Sequence, residues 1–252
     1  MIHLFAPLVG FSLALLAAPV GVSGAFMLVP FLVSVVGIET PAASATSLMF
    51  NAVSTPGGIY RYYRQGRFDA RLSRLIVSGT VPGVAIGAVV RVQFLAGPQA
   101  FKAFMGVVLL LLALKLWLEL ARRFPTATLS FRPAAVVIPA FAVGVVGGIY
   151  GIGGGSIMSP FLVAVVGFSI YVTAGPTLLA TLITSVAGVV AFAALGVQPR
   201  WTLGLLLGAG GLAGSYVGAK LQSQLAEKAL RALHATLATI LGVTYLAQTL
   251  LF

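Results

Sequence analysis

The sequence predicts an all-α polytopic membrane protein made of two tandem repeats of inverted topology. Each repeat is expected to have a glycine-broken leading helix or hairpin followed by three transmembrane helices. Three observations carry the prediction. Hydrophobic residues make up 60% of the chain and charged residues 8%, with a mean hydropathy of +1.09, whereas soluble domains have roughly 25% charged residues. Apolar stretches of about 20 residues, the length a helix needs to cross some 30 Å of hydrocarbon, recur along the whole length. Finally, residues 21–33, Gly-Val-Ser-Gly-Ala-Phe-Met-Leu-Val-Pro-Phe-Leu-Val, return at 151–163 as Gly-Ile-Gly-Gly-Gly-Ser-Ile-Met-Ser-Pro-Phe-Leu-Val, displaced by 130 positions.

The first repeat is assigned to residues 1–121 and the second to 134–252. Each holds four apolar blocks: 3–37, 41–63, 72–92 and 99–121, then 134–168, 172–195, 201–221 and 229–251. The opening Met-Ile-His-Leu-Phe has no basic n-region, so a cleaved signal peptide is not expected. The leading block of each repeat is long enough to cross once at a steep tilt, or to enter and return as a hairpin broken at Gly21–Gly24 and Gly151–Gly155. Charge favours the hairpin. It gathers Arg61, Arg64, Arg67, Arg71, Arg74, Lys115, Arg122, Arg123, Arg132, Lys220, Lys228 and Arg231 on one side, twelve of the fifteen Lys and Arg, and leaves Arg91, Lys102 and Arg200 opposite. An odd number of crossings per half then inverts the second half and puts both termini away from the cytoplasm.

The register holds beyond the glycine motif. Ser54-Thr55 matches Thr184-Ser185 and Gly58 matches Gly188; one inserted residue later, Gly79, Gly83 and Gly87 match Gly210, Gly214 and Gly218 at 131. Small residues four apart let helices approach closely in lipid, so these stripes are expected to serve packing. Residues 122–133, polar and proline-bearing, are expected to be a cytoplasmic linker. Tyr60, Tyr62 and Tyr63, interleaved with Arg61 and Arg64, end an apolar helix and suit an aromatic interface belt with snorkelling arginines better than a nucleic-acid surface.

Apolar segments interrupted at matching positions of two halves mark the binding site of a membrane transporter. Glycines at 21, 24, 151, 153, 154 and 155 leave no side chain over the backbone amides, and helices starting near Ala25 and Ser156 would present N–H groups and a positive dipole end. Exposed backbone at membrane depth is tolerated only where protein or a water-filled cavity satisfies it. A polar ladder follows each break. Ser47, Asn51 and Ser54 share one helical face, with Thr46 and Thr55 beside them, and Thr177, Thr181 and Thr184 share the matching face, with Ser185 alongside. Such groups can donate to a desolvated oxyanion, or, as the simpler alternative, bond to the preceding turn of their own helix.

The only acidic residues, Glu39, Asp69, Glu119 and Glu227, fall at block ends or in loops, which argues against a dedicated cation pathway. His3 and His234 are the only histidines, and His234 suits a helix end at the interface. Without cysteine there is no disulfide or thiolate metal site, and no metal or cofactor is expected. The formal charge of +11 comes largely from the basic loops and is compatible with an anionic substrate.

The duplicated glycine-rich break followed by Pro-Phe-Leu, the segment Ala45-Thr46-Ser47-Leu48, Ser54-Thr55 with Thr184-Ser185, the aromatic-basic exit from Tyr60 to Gly66 and the Gly79/Gly83/Gly87 stripe together resemble the sulfite exporter TauE/SafE family over nearly the whole chain. The resemblance implies a multi-pass inner-membrane permease that passes sulfite and small sulfur-containing or organosulfonate anions, driven by a proton or other ion gradient. It leaves room for a homodimer. One departure makes unequal half-sites an expectation: the first copy has Gly-Val-Ser-Gly-Ala where the second has Gly-Ile-Gly-Gly-Gly, and Gly175-Pro176-Thr177 stands where Ala-Thr-Ser is expected. The expected function is a secondary transporter that exports a small anion, with the site at the repeat interface formed by Gly24, Gly154, Gly155, Thr46, Ser47, Asn51, Ser54, Thr177, Thr181 and Thr184. A passive anion channel of the same architecture is the alternative. A membrane enzyme is disfavoured, because no His/Asp/Glu cluster and no nucleophile with a base falls within one block.

Overall fold

The computed structural model describes residues 2–38, 40–120 and 133–251, and every regular element among them is helical. Helix α1 (Ile2–Ala17) ends in a 3₁₀ turn (Ala18–Val20) and is followed by α2 (Ala25–Ser34), α3 (Thr40–Arg64), α4 (Ala70–Gln93) and α5 (Pro98–Leu120). The same order resumes with α6 (Ala134–Tyr150), α7 (Gly154–Phe161) running into a π-turn (Leu162–Val166), α8 (Ile170–Ala194), α9 (Trp201–Leu221) and α10 (Glu227–Leu251). The expected linker lies, Pro133 aside, outside the described residues. Among the described residues, six stretches are long and apolar enough to span a membrane: His3–Val20, Ala70–Gln93, Gln99–Leu118, Ile170–Ala194, Trp201–Gln224 and Lys228–Thr249. Helix α3 is too polar for that criterion, yet its 25 residues reach about 37 Å at 1.5 Å per residue.

Each leading block is a hairpin. Gly21 (φ 71°) and Gly151 (φ 90°) cap the preceding helices in the left-handed region, where a side chain would be strained. The chain then folds back on itself. A Cβ at Gly24 would lie 2.8 Å from the backbone nitrogen of Ala14, and one at Gly154 would lie 3.0 Å from Cα of Gly144. A continuous helix would hold residues ten apart at about 15 Å, so the single steep crossing is ruled out for both blocks.

The glycine stripes serve packing, as expected. Gly79, Gly83 and Gly87 on α4 face the carbonyl oxygens of Val137, Phe141 and Val145 on α6, while Gly210, Gly214 and Gly218 on α9 face those of Pro7, Phe11 and Leu15 on α1. Both pairs run parallel, because residue numbers rise together along them. Helix α3 lies parallel to α9 through Val53 against Gly208 and Gly57 against Leu212. At the centre α3 and α8 cross antiparallel, with Leu48 on Gly188 and Leu178 on Gly58. Asp69 starts α4 by accepting from the backbone N–H groups of Arg71 and Leu72 at 2.8 and 2.9 Å.

The two ends of the bundle differ in charge. Arg61, Arg64, Arg67, Arg71, Arg74, Lys220 and Lys228 cluster at the end where α3 meets α4 and α9 meets α10. The opposite end has Arg91, Lys102 and Arg200, and a groove of about 580 Å³ there is lined by His3, Gly37, Arg200 and Trp201 among others. Among the three tyrosines of the expected belt, Tyr60 and Tyr63 are exposed, but Tyr62 is fully buried. That corrects the belt assignment for Tyr62.

Replacing Gly83 or Gly214 by alanine places a methyl group against a backbone carbonyl of the neighbouring helix, which cannot rotate away as a side chain could. Overpacking of this kind costs about 1–3 kcal/mol, so both variants are expected to unfold at lower temperature in detergent and to yield less folded protein. Wild-type melting temperatures would show that the helices separate without penalty.

Candidate functional site

The glycine breaks leave backbone carbonyls deep in the protein, and side chains from several helices answer them. At the first break four successive carbonyls each accept a hydrogen bond from a side chain. Tyr62 OH donates to Ala18 at 2.8 Å, Gln222 Nε2 to Pro19 at 2.7 Å, Ser159 Oγ to Val20 at 2.7 Å and Thr177 Oγ1 to Gly21 at 3.0 Å. At the second break Ser44 Oγ donates to the Tyr150 carbonyl at 3.1 Å, and Asn51 Nδ2 donates to that of Ile152 at 2.9 Å. Because a carbonyl only accepts, this bond fixes the orientation of the Asn51 amide. A chain of hydroxyls joins the breaks: Ser23 Oγ lies 2.9 Å from Ser156 Oγ, which lies 3.2 Å from Thr181 Oγ1.

Unused hydrogen-bonding capacity gathers at the second break. Among the described residues, the buried side-chain atoms with no partner are Ser47 Oγ, Asn51 Oδ1, Ser185 Oγ, both terminal nitrogens of Arg91 and Tyr245 OH, together with Arg61 Nε and Gln65 Oε1 near the far end of α3. Asn51 and Ser185 flank the break directly, since a Cβ at Gly153 would lie 2.8 Å from Ser185 Oγ while Asn51 holds Ile152. Ser47 is one turn from Asn51 on the same face of α3. Buried polar groups are normally satisfied, so this local concentration is informative.

The expected site residues divide accordingly. Gly154, Gly155, Ser47, Asn51, Thr177, Thr181 and Thr184 come together around the second break, with Gly155 packed on the backbone of Thr177 and Thr181. Gly24 caps α2 and packs on α1. Thr46 lies nearer the bundle end, donating to Ala42 O at 2.7 Å and accepting from Arg200 N at 2.9 Å. Ser54 faces α9, its carbonyl accepting from Ser215 and its Cβ against Gly211. The hydroxyls of Thr181 and Thr184 bond to the carbonyls of Thr177 and Ala180 in their own helix at 2.9 and 2.6 Å, and the single hydrogen of Thr177 is shared between Thr173 O at 2.8 Å and Gly21 O at 3.0 Å. A hydroxyl has one hydrogen, so Ser47 and Ser185 are better placed to donate to a ligand than these threonines.

Sequence reasoning missed Arg91. Charge counting places it only among the three cations on the less basic side, but the side chain is fully buried. The signal was present: Arg91 continues the spacing of Gly79, Gly83 and Gly87 by one more step of four, which puts it on the packed face of α4.

Glycine-broken hairpins that meet at mid-bundle, lined by buried polar groups in an otherwise apolar helical assembly, define a polytopic membrane transporter. The chain belongs to the sulfite exporter TauE/SafE family, whose sequence profile matches residues 6–245. Curated relatives from Bacillus subtilis (strain 168) include the probable membrane transporter proteins YdhB, 26% identical over 89% of this chain and 92% of its own, and YunE, 25% identical over 84% and 85%. A third, YjnA, is 23% identical over 94% of this chain and 96% of its own. No solved structure matches.

The geometry separates groups bonded within the protein from groups left without a protein partner. Asn51→Ala removes the donor to Ile152 and is expected to cost about 1–3 kcal/mol. Asn51→Asp is expected to be worse, since it turns a carboxylate oxygen toward a carbonyl. Ser185→Ala removes a hydroxyl with no protein partner and should leave the melting temperature at the wild-type value. Thermal unfolding followed by circular dichroism checks the order; a Ser185→Ala loss as large as that of Asn51→Ala would contradict it.

Proposed function

We propose that this protein is a secondary transporter that exports a small sulfur oxyanion, sulfite or an organosulfonate, across the inner membrane in exchange for or together with a coupling ion. The binding site lies at the second glycine break, where two inverted repeats meet. The observation that carries this is the set of buried, unpartnered groups there: Ser47 Oγ and Ser185 Oγ as donors, with Asn51 Oδ1 as an acceptor. An anion stripped of water must recover hydrogen bonds, and the two hydroxyls offer them without a permanent countercharge. Asn51 Oδ1 suits a hydrogen-bearing form such as bisulfite.

Several features support the inverted repeat. Positive-φ glycines pair at a displacement of 130: Gly21 with Gly151, Gly37 with Gly167 and Gly66 with Gly196. Packing exchanges in the same way, α1 on α9 matching α6 on α4. The counterparts α3 and α8 run antiparallel. The charge difference between the ends favours a cytoplasmic α3–α4 connection, with both termini on the other side.

Two measurements test these proposals. In reconstituted vesicles, Ser47→Ala and Ser185→Ala are each expected to raise the half-saturation for radiolabelled sulfite about ten- to a hundredfold, since a hydrogen bond to a charged ligand is worth roughly 1.5–3 kcal/mol. Unchanged half-saturation in both would remove the site from the second break. For orientation, an alkaline phosphatase fused after Phe252 is expected to be active in the periplasm, and a reporter inserted near Pro125 is expected to be cytoplasmic. A cytoplasmic C-terminal reporter would reverse the assignment.

A further inference from the structure

Arg91 occupies the last turn of α4 with none of its side chain exposed. Its Nε donates to Ser44 Oγ at 3.3 Å, and neither Nη1 nor Nη2 has a hydrogen-bond partner in the protein. The guanidinium carbon sits 3.9 Å from the centroid of the Phe101 ring. That ring meets Tyr245 edge-on at 6.4 Å and Tyr150 at 6.1 Å, and the Tyr245 hydroxyl is itself buried without a partner. Asp69, the acidic side chain described, caps the opposite end of the same helix. The compensation visible for the buried cation is therefore an aromatic face and the negative end of the α4 dipole, each weaker than a counter-ion. An unpaired buried charge is costly to keep.

The position ties this cation to the second break. Arg91 holds Ser44, Ser44 donates to the Tyr150 carbonyl, and Gly151 packs on the Ser44 backbone. In the matching half the residue 131 positions on is Gln222. It is neutral and paired on both sides, donating to Pro19 O at 2.7 Å and accepting from Arg67 Nη1 at 3.2 Å. The free cation thus occurs at one break and not at its counterpart.

We propose that Arg91 binds the transported anion directly, as a station on the non-cytoplasmic side of the second break. Two oxygens of one sulfite or sulfonate group are taken side-on by Nη1 and Nη2, in the planar fork geometry that arginine offers and lysine lacks. Tyr245 OH, at the edge of the ring beneath the guanidinium, is a further donor. This inference rests on the anion-transport reading and adds to it the fixed positive charge that the polar ladders lack.

The test compares wild type, Arg91→Gln and Arg91→Lys, purified whole in nanodiscs, by equilibrium binding of sulfite, methanesulfonate and chloride, with melting temperature measured in parallel. For wild type, sulfite and methanesulfonate should bind more tightly than chloride, which cannot occupy both nitrogens of the fork. Arg91→Gln should weaken sulfite binding ten- to a hundredfold while melting no lower than wild type without ligand, because it removes an uncompensated charge. Arg91→Lys should weaken it about tenfold, having lost the second donor of the fork. Sulfite affinity within twofold of wild type in Arg91→Gln, or a lower melting temperature with unchanged affinity, would make Arg91 a structural anchor and overturn the proposal. Should Arg91→Gln fail to fold, unchanged affinity in Arg91→Lys would overturn it equally. Wild-type protein that neither binds nor transports any of these anions would defeat the transport reading itself, a result distinct from wild-type binding that the substitutions leave intact.

Discussion

Backbone carbonyls stranded by the two glycine breaks impose the constraint on which the rest of the structure depends. Deep in an apolar bundle such groups cannot turn to solvent, and each one left unpaired costs free energy comparable to a lost hydrogen bond. The first break meets this requirement with donors from α3, α7, α8 and the turn after α9: Tyr62, Ser159, Thr177 and Gln222. These bonds fix the end of α1 against elements from both halves of the chain. The second break is held by Ser44 and Asn51 from α3, and polar atoms around it are left over.

The donors reach the carbonyls only because the helices lie unusually close. Each leading hairpin is clamped on the other half's striped helix, α1 on α9 and α6 on α4, with glycine against backbone carbonyl at every step. In lipid there is little hydrophobic drive to bring helices together, so shape and van der Waals contact must do it. The stripe and the break are therefore two parts of one device: the first lets backbones approach, and the second uses that proximity to cross-link the halves. Chain reversal at Gly21 and Gly151 belongs to the same arrangement, because a straight leading helix would carry the break away from α3 and α8.

Much of this is legible in the sequence because the glycine motif recurs 130 positions on. The breaks, the packing role of Gly79, Gly83 and Gly87 and the inward face of Ser47, Asn51, Thr177 and Thr181 all follow from spacing. What a hydroxyl bonds to does not. Thr181 and Thr184 turn back on their own helix, a local choice made within four residues that looks the same in sequence as a reach toward a ligand. Tyr62 was misplaced, and the burial of Arg91 missed, for a different reason. Aromatic and basic residues near the ends of apolar blocks usually sit at the membrane interface, and only tertiary contacts bury these two, Tyr62 against the first hairpin at Ala18 and Arg91 against Ser44 and Phe101.

Function is best sought where the two matching segments depart from each other, since the features they share serve packing. Asn51 stands where the second half has Thr181. The threonine satisfies itself within its own helix, whereas the longer amide spans to Ile152 and leaves its oxygen free. Thr55 bonds to the Asn51 carbonyl at 2.7 Å, but its counterpart Ser185 makes no such bond and leaves its hydroxyl free. Arg91 stands opposite a fully paired Gln222. Each departure leaves unused hydrogen-bonding capacity at the second break. A polar group kept buried and unpaired reduces stability. Three such departures converge on one short backbone segment, and that convergence is the ground on which the anion site is proposed there.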